Sequence, residues 1–587
     1  MANGLFFQTD TRPSEQPGIR FHRTLAVMLL ISSVFIGYGY RLAQLQLVQG
    51  RYHRHRAELN RIRQIPVASE RGNILDRKGR VLAANRLSRS VYLWPREQTP
   101  EQWQDSIPRL AALLNLPATE ILKKLEQSGY KSALPIRIRR DLKSEEFVAL
   151  EESMPMLPGV EVRAESNRNY PHGSLASHVL GYIGEATLDE LKAKPEYPMG
   201  MVVGKMGIER FVNDQLEGVW GGRLVEVDAL GQELRELGVR PSKAGAPVQL
   251  TLDLDLQKAA ERALGNRRGA VVVLDVKTGG VLAMASGPTF DPNVFTRRVT
   301  DSEWEYLQSQ ENPFLNRALQ GYPPGSTFKI VTSAAGMESG KFSPHSTLMT
   351  SAYITVGGIQ FNEHSGSYGV IGFREALAYS SNTFFYQVGM QAGVEQVSKW
   401  AKNLGIGKTT DLNLLGLEGG NYGMVPTEEE KLVLFGEPWY AGDTVSMSIG
   451  QGLVLASPLE LAVMTASIAN GGMRVKPHLL ASQTNTPATK PEPTGAAPET
   501  IKAIQSGLVA VVQQGTARRL NDGSIPLTAG KTGTSEVVGQ PSHALYVAYG
   551  PATNPEIAIA VVVENGGFGG VNAVPVAQEI FNTFFKK

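Results

Sequence analysis

Tyr322-Pro323-Pro324-Gly325-Ser326-Thr327-Phe328-Lys329 closes one element of the chain and starts another. Pro323, Pro324 and Gly325 end whatever precedes them, and apolar Phe328, Ile330, Val331, Ala334 and Met337 then recur at helical spacing. This predicts a helix opened by Ser326, with Lys329 one turn further along the same face, so that hydroxyl and amine can meet. A serine so placed can be made nucleophilic without histidine. The lysine must first lose its proton, and moving its pKa from about 10.4 to about 7 disfavours the charged form by about 4 to 5 kcal/mol, which burial and neighbouring cations can supply. Unpaired N–H groups and the positive dipole end at a helix start would then stabilise charge developing beside the serine. Alone the motif is weak, because a chain this long holds about two copies of Ser-x-x-Lys by chance.

Two further motifs follow in order. Ser380-Ser381-Asn382 lies between the helical pattern of Phe373 to Tyr379 and another beginning at Thr383, hence on a turn. There the Ser380 hydroxyl can relay a proton and the Asn382 amide can bond Lys329 or a substrate backbone, although Ser and Asn also simply cap helices. Lys531-Thr532-Gly533-Thr534 opens a strand. Gly533 permits close approach of an extended ligand, while Lys531, Thr532 and Thr534 offer a cation and hydroxyls to a carboxylate. A strand edge there suits binding of a peptide by strand addition. His364 in Glu363-His364-Ser365-Gly366 resembles a triad base but adds nothing that a lysine base lacks. Ser448, Gly450 and Gln451 are lesser candidates for the cleft wall.

The ordered triple resembles the Ser-x-x-Lys, Ser-Asp-Asn and Lys-Thr-Gly set of β-lactamases and penicillin-binding proteins, with Ser381 in place of the middle Asp. From its apolar N-terminal segment to its C-terminus the chain resembles the class B penicillin-binding proteins, the peptidoglycan D,D-transpeptidases. Arg71-Gly72-Asn73-Ile74-Leu75-Asp76-Arg77 resembles the first pedestal motif of that class. Arg168-Asn169-Tyr170-Pro171 with His178, Gly181, Tyr182 and Gly184 resembles the second, and Gly204, Gly207, Glu209 and Gly218 the third. The wording of Gly442 to Gly452 resembles the elongation type, penicillin-binding protein 2, rather than the division type.

The resemblance implies Ser326 as nucleophile, Lys329, Ser380, Asn382, Lys531 and Thr534 as further catalytic residues, and Lys531, Thr532, Gly533 and Thr534 as the substrate-binding strand. It implies an oxyanion hole from the N–H groups of Ser326 and Thr534. It also implies a D-alanyl-D-alanine stem peptide as substrate and β-lactams as acylating inhibitors. As partners it implies a polytopic SEDS-type, RodA-like glycosyltransferase and elongation-complex proteins at the bacterial cytoplasmic membrane, with the catalytic domain on the periplasmic side.

Length suggests several domains, and the charge gives no sign of a nucleic-acid binder: the chain has 587 residues and a net charge of +2. The lack of cysteine excludes disulfides and Cys-ligated zinc, and the nine histidines show no metal spacing, so no metal or cofactor is expected. Residues 1–23 read as a polar cytoplasmic tail. Residues 24–46 read as an uncleaved transmembrane anchor, uncharged from Thr24 to Tyr40. Charge does not orient it, since Arg12, Arg20 and Arg23 before it are matched by Arg41, Arg51, Arg54 and Arg56 after it.

Residues 47–245 are expected to form an elongated β-rich, dimerisation-like pedestal. Ile74-Leu75 and Val81 to Ala83 flank a turn there, arginines and glycines serve ion pairs and turns, and His178 is a satisfied core histidine. Helices at Pro117 to Gln127 and Ser144 to Met154 mark a head subdomain over about 97–165; by themselves they read as ordinary amphipathic packing, and the resemblance implies that a partner can dock there. Residues 246–587 form the transpeptidase domain. Strands at Ala270–Asp275 and Val281–Ala285, then around Lys531, at Ala544–Tyr549 and at Glu556–Val563, with a closing helix from Val576, predict a five-stranded antiparallel sheet assembled from both ends and covered by helices. The overall class is α+β and multidomain. Ser482 to Thr500 and Gly566 to Gly570 are expected as an exposed loop and a mobile connection.

Two other functions use the same residues differently. A β-lactamase or D,D-carboxypeptidase would share the catalytic set but needs a positioned water and no anchored stalk. A β-lactam sensor or a non-enzymatic scaffold would need further spans or an effector domain.

Overall fold

The computed structural model describes residues 17–52, 61–132, 135–198, 200–228, 233–408 and 413–586. Residues 1–16 of the expected tail, with Arg12, lie outside the described residues, as do Arg54 and Arg56. Two compact units result: residues up to Val67 together with Gly221–Pro241, and Ala68–Trp220 together with Ser242–Lys587.

In the first unit, helix Pro17–Ala43 continues into a π-helical turn, Gln44–Val48. Phe21–Val48 is long and apolar enough to cross a membrane. A three-stranded antiparallel sheet follows, with Gly221–Val227 between Ile62–Val67 and Glu233–Arg240. Arg223 bonds Glu233 and Glu236 across its surface.

The second unit begins with Ile74–Leu75, a turn in which Gly79 has φ +79°, and the long strand Val81–Leu93. That strand pairs antiparallel with Val160–Asn169 from Ala84 opposite Asn169 to Leu93 opposite Val160. Helices Ala118–Ser128 and Ser144–Ser153 occur where expected, but Pro100–Leu114 was not legible, because Pro100 and Pro108 read as breakers. Pro100 sits in the first turn, where a missing N–H costs nothing, and Thr99 with Gln102 forms a capping box. Burial of Trp103, Ile107 and Leu110 in a separate apolar cluster outweighs the bond lost at Pro108.

Elsewhere in this region, fully buried Glu209 accepts from Arg71 Nε and Arg168 Nε, both at 2.6 Å. His178 is buried with Nε2 2.8 Å from the Pro313 carbonyl oxygen, and burial pushes its imidazole down to about 4.

The large sheet has the strand order Val281–Gly287, Gly269–Asp275, Ile557–Val563, Gln540–Gly550, Ala529–Val537, antiparallel throughout. Alternate side chains point to opposite faces, so Val271, Val273, Val561 and Tyr546 pack with helices Leu254–Leu264 and Val574–Phe585, while Val272, Leu274, Val562 and Val547 pack with Phe328, Val331 and the apolar helix Pro458–Ala469. The Lys531 strand is the sheet's edge.

Two loop expectations are corrected. Ser482–Thr500 is exposed or half-buried over most of its length, as expected, but is not loop throughout: Glu492–Pro493 pairs with Met473–Arg474, helix Pro498–Gln513 begins inside it, and Thr489, Thr494 and Thr500 are buried. Its threonines satisfy themselves on nearby carbonyls, as Thr494 Oγ1 does by donating to Gly472 O at 2.9 Å, and Glu492 pairs with Arg474 and Lys476. Gly566–Gly570 leads into the helical turn Gly569–Asn572, which packs closely on the Gly533 carbonyl.

Candidate active site

Ser326 does not open an α-helix. Gly325–Phe328 is a 3-10 turn and the α-helix starts at Lys329, running to Glu338. With three residues per 3-10 turn, positions 326 and 329 are stacked nearly in register. The left-handed Gly325 (φ +52°) makes the entry, and its N–H donates to Gly450 O at 2.9 Å. Thr332 Oγ1 donates to Ser448 O at 2.7 Å. Ser448 and Gly450 therefore back the nucleophile turn from behind rather than lining a cleft.

Lys329 is 0% exposed and sits in the centre of the cluster. Its Nζ donates to Ser380 O at 2.7 Å and to Asn382 Oδ1 at 2.7 Å, and lies 3.3 Å from Ser380 Oγ. Asn382 Nδ2 donates to Asn362 O at 3.2 Å, which turns its carbonyl toward the lysine. Burial pushes the Lys329 amine down to about 7, against the opposing pull of the Glu363 carboxylate. A neutral amine has two N–H groups, and Ser380 O and Asn382 Oδ1 use both, leaving the lone pair to take a proton. No hydrogen bond joins Lys329 to Ser326 among the described residues, so the expected direct pairing gives way to the stronger carbonyl acceptors of the Ser380–Asn382 turn.

That turn is placed as anticipated. Helix Phe373–Tyr379 ends on Ser380, which takes the left-handed conformation at φ +60°, and helix Asn382–Ala392 starts two residues on. Ser381, the residue that departs from the motif, caps the second helix by accepting from Phe384 N–H.

From the edge strand, fully buried Lys531 donates to Ser380 Oγ at 2.8 Å and to Thr532 O at 3.1 Å. Burial drives its amine well below the ordinary lysine value, and the Lys329 charge adds to this. One hydroxyl, Ser380 Oγ, thus bridges two amines. Gly533 is where strand and nucleophile turn meet: a Cβ there would fall 3.0 Å from Thr327 Cγ2 and 3.1 Å from Pro324 O. Thr532 Oγ1 shares a hydrogen bond of 2.6 Å with Thr516 Oγ1. Thr534 lies on the same strand, paired with Ala544. His364 stands apart, with Nδ1 2.8 Å from Ser365 Oγ. A surface hollow lined by Lys402, Gly423, Glu430 and Leu434 shares no residue with the cluster.

Residues 269–585 match the penicillin binding protein transpeptidase domain, and residues 66–250 the penicillin-binding protein dimerisation domain. The chain belongs to the class B penicillin-binding proteins. Among the relatives of this class B penicillin-binding protein, peptidoglycan D,D-transpeptidase MrdA of Acinetobacter baumannii is 32% identical over 573 residues, covering 92% of this chain and 84% of the relative. In the solved complex of PBP2 with MreC from Helicobacter pylori, the similar chain is 30% identical with a TM-score of 0.81, covering 89% of this chain and 99% of that one. A structure described as showing the structural coordination of polymerization and crosslinking by a peptidoglycan synthase complex holds a chain 33% identical at TM-score 0.72, covering 96% and 98%.

Reading the sequence of this penicillin-binding protein did not find Glu363 as more than the neighbour of His364, nor Thr516 as part of the site. No local pattern marks them. Each reaches the cluster through a long-range contact.

Proposed function

We propose that this chain is an elongation-type peptidoglycan D,D-transpeptidase working through a Ser326 acyl-enzyme. The observation that carries the reading is a buried lysine held near neutral pKa, sharing Ser380 with a second buried lysine beside the Ser326 turn. Lys329 takes the Ser326 hydroxyl proton as the serine oxygen attacks the carbonyl of the penultimate D-alanine. The N–H groups of Ser326 and Thr534 stabilise the oxyanion, each such donor contributing about 3 to 4 kcal/mol. As the peptide C–N bond breaks, Ser380 passes the proton to the leaving D-alanine nitrogen. An acceptor amine then attacks the ester, gives its proton back through the same relay, and frees Ser326. Asn382 holds the lysine, while Lys531, Thr532 and Thr534 receive the terminal carboxylate, with Gly533 leaving room for the extended peptide.

The relatives support the cell-wall role: MrdA of A. baumannii is named a peptidoglycan D,D-transpeptidase. The H. pylori complex with MreC supports an elongation-complex partner, and the synthase complex, described as coordinating polymerization and crosslinking, supports a glycan polymerase beside it; that this polymerase is of the SEDS-type, RodA-like class rests on the family resemblance alone. On this reading Phe21–Val48 anchors the protein in the cytoplasmic membrane, 47–245 is the pedestal with its head near 97–165, and 246–587 is the transpeptidase domain on the periplasmic side.

Ser326→Ala should abolish covalent labelling by a fluorescent penicillin while thermal unfolding is unchanged. Labelling that persists at another serine would refute the assignment. Slow release of the adduct separates a transpeptidase from a β-lactamase, which would clear it within seconds.

A further inference from the structure

The hydrogen bonds that the Lys329 amine donates land on the Ser380–Asn382 turn, and that turn is itself held from outside by one carboxylate. Glu363 follows the hairpin of Tyr353–Val356 and Ile359–Asn362 and is buried. Its Oε2 accepts from Ser381 Oγ at 2.6 Å, Thr383 N at 2.9 Å and Thr383 Oγ1 at 2.9 Å. Its Oε1 accepts from Asn382 N at 2.7 Å and His364 N at 3.0 Å. The first two N–H groups of the helix, otherwise orphaned, are thus capped by a residue from a different part of the chain.

We propose that Glu363 is a positioning residue for the transfer reaction, holding the Ser380–Asn382 turn against Lys329 and placing a fixed negative charge near that buried amine. The inference rests on the transpeptidase reading above.

Burial alone would push the Glu363 carboxyl up, but the Ser381 hydroxyl and the Asn382, His364 and Thr383 N–H groups hold it below the usual range, so it stays charged. That charge favours the protonated form of Lys329. The other titratable groups facing the pair are Lys531 on the edge strand, His364 beside Glu363, and Tyr386 on the capped helix. With Glu363 at their centre the base stays near neutral pKa instead of falling further. Glutamine cannot replace it: its NH₂ would face N–H and O–H donors, and its charge is gone.

The test is the pH dependence of Ser326 acylation by a fluorescent penicillin in the full-length, detergent-solubilised protein. In Glu363→Gln the acid limb should move to lower pH by about half a unit or more, a roughly threefold gain in neutral lysine at fixed pH, while the maximal rate falls about tenfold. Glu363→Asp keeps the charge on a shorter arm, so its limb should stay where the unsubstituted protein has it while the maximal rate falls. An unmoved limb in Glu363→Gln overturns the electrostatic part, and an Asp variant with the full maximal rate overturns the positioning. If Glu363→Gln does not fold, the Asp variant carries the test alone. Failure of the unsubstituted protein to label Ser326 would instead remove the transpeptidase reading, and this inference with it.

Discussion

Lys329 pays for its reactivity in solvation. Burial pushes its amine down to about 7, so on the proposed mechanism it serves as a base above that pH and is protonated below it. Acylation of Ser326 should fall about tenfold for each pH unit below about 7 as the lysine takes up its proton. A rate flat from pH 5 to 8 would show that Lys329 is not the base. The sign for stability follows from the same shift: the unfolded lysine keeps its proton up to about 10.4 and the folded one does not, so this group's contribution to stability rises with pH between about 7 and 10.4. The placing of Ser326 and Lys329 one turn apart was legible because both lie on one short stretch, although no hydrogen bond joins them among the described residues. The bond from Lys329 to the Asn382 amide was one of two expected for that amide, but the Ser380 carbonyl as an acceptor was not legible, because it is a backbone atom beyond position 370 that nothing local announces.

The secondary-structure elements act as supports whose faults would reach the chemistry at a distance. Gly450, at φ +72°, lets its carbonyl accept the Gly325 N–H, and a Cβ there would fall 2.6 Å from Phe328 Cβ. Gly450→Ala should therefore lower penicillin acylation at least about tenfold by displacing the nucleophile turn, with circular dichroism unchanged. Acylation at the unsubstituted rate would show that the turn does not depend on this contact. In the Glu209 network the expected effect is on stability. Glu209→Gln strands the guanidinium groups of Arg71 and Arg168 in the interior and should cost about 3 to 5 kcal/mol in denaturant unfolding. A loss under about 1 kcal/mol would mean that solvent reaches the two arginines. Strands that are short, continuous apolar runs next to a turn, such as Val281–Gly287, could be read directly, whereas helix Pro100–Leu114 could not, since its prolines are tolerable only at the positions the fold gives them.

At the level of the whole chain, residues 68–220 and 242–587 share one packed unit. Val248–Gln249 pairs parallel with Ile74–Leu75, Arg80 reaches Asp253 and Asp255, and Asn293 exchanges hydrogen bonds with the Tyr170 backbone. Ile74, Leu82 and Val179 belong to the same apolar core as Val272 and Phe328. A fragment starting at residue 246 exposes that surface, so it should melt several degrees below one starting at residue 62 when both are followed by calorimetry. Equal melting temperatures would show the catalytic part to be independent of the pedestal.

Local order along the chain was enough to place the Ser326 stretch, the turn between helices and the strand of Lys531, because each depends on neighbours within a few residues and on period-2 or period-3.6 patterning, while the roles proposed for them came from the resemblance of the ordered triple to a known family. It was also enough to anticipate a sheet drawn from both ends of the catalytic part. Which acceptors hold Lys329, that Ser380 spans two amines, and that Glu363 closes the cluster depended on folding. Those contacts join positions from 329 to 531, and burial, which sets the lysine pKa, is a property of the assembled core and not of any one segment.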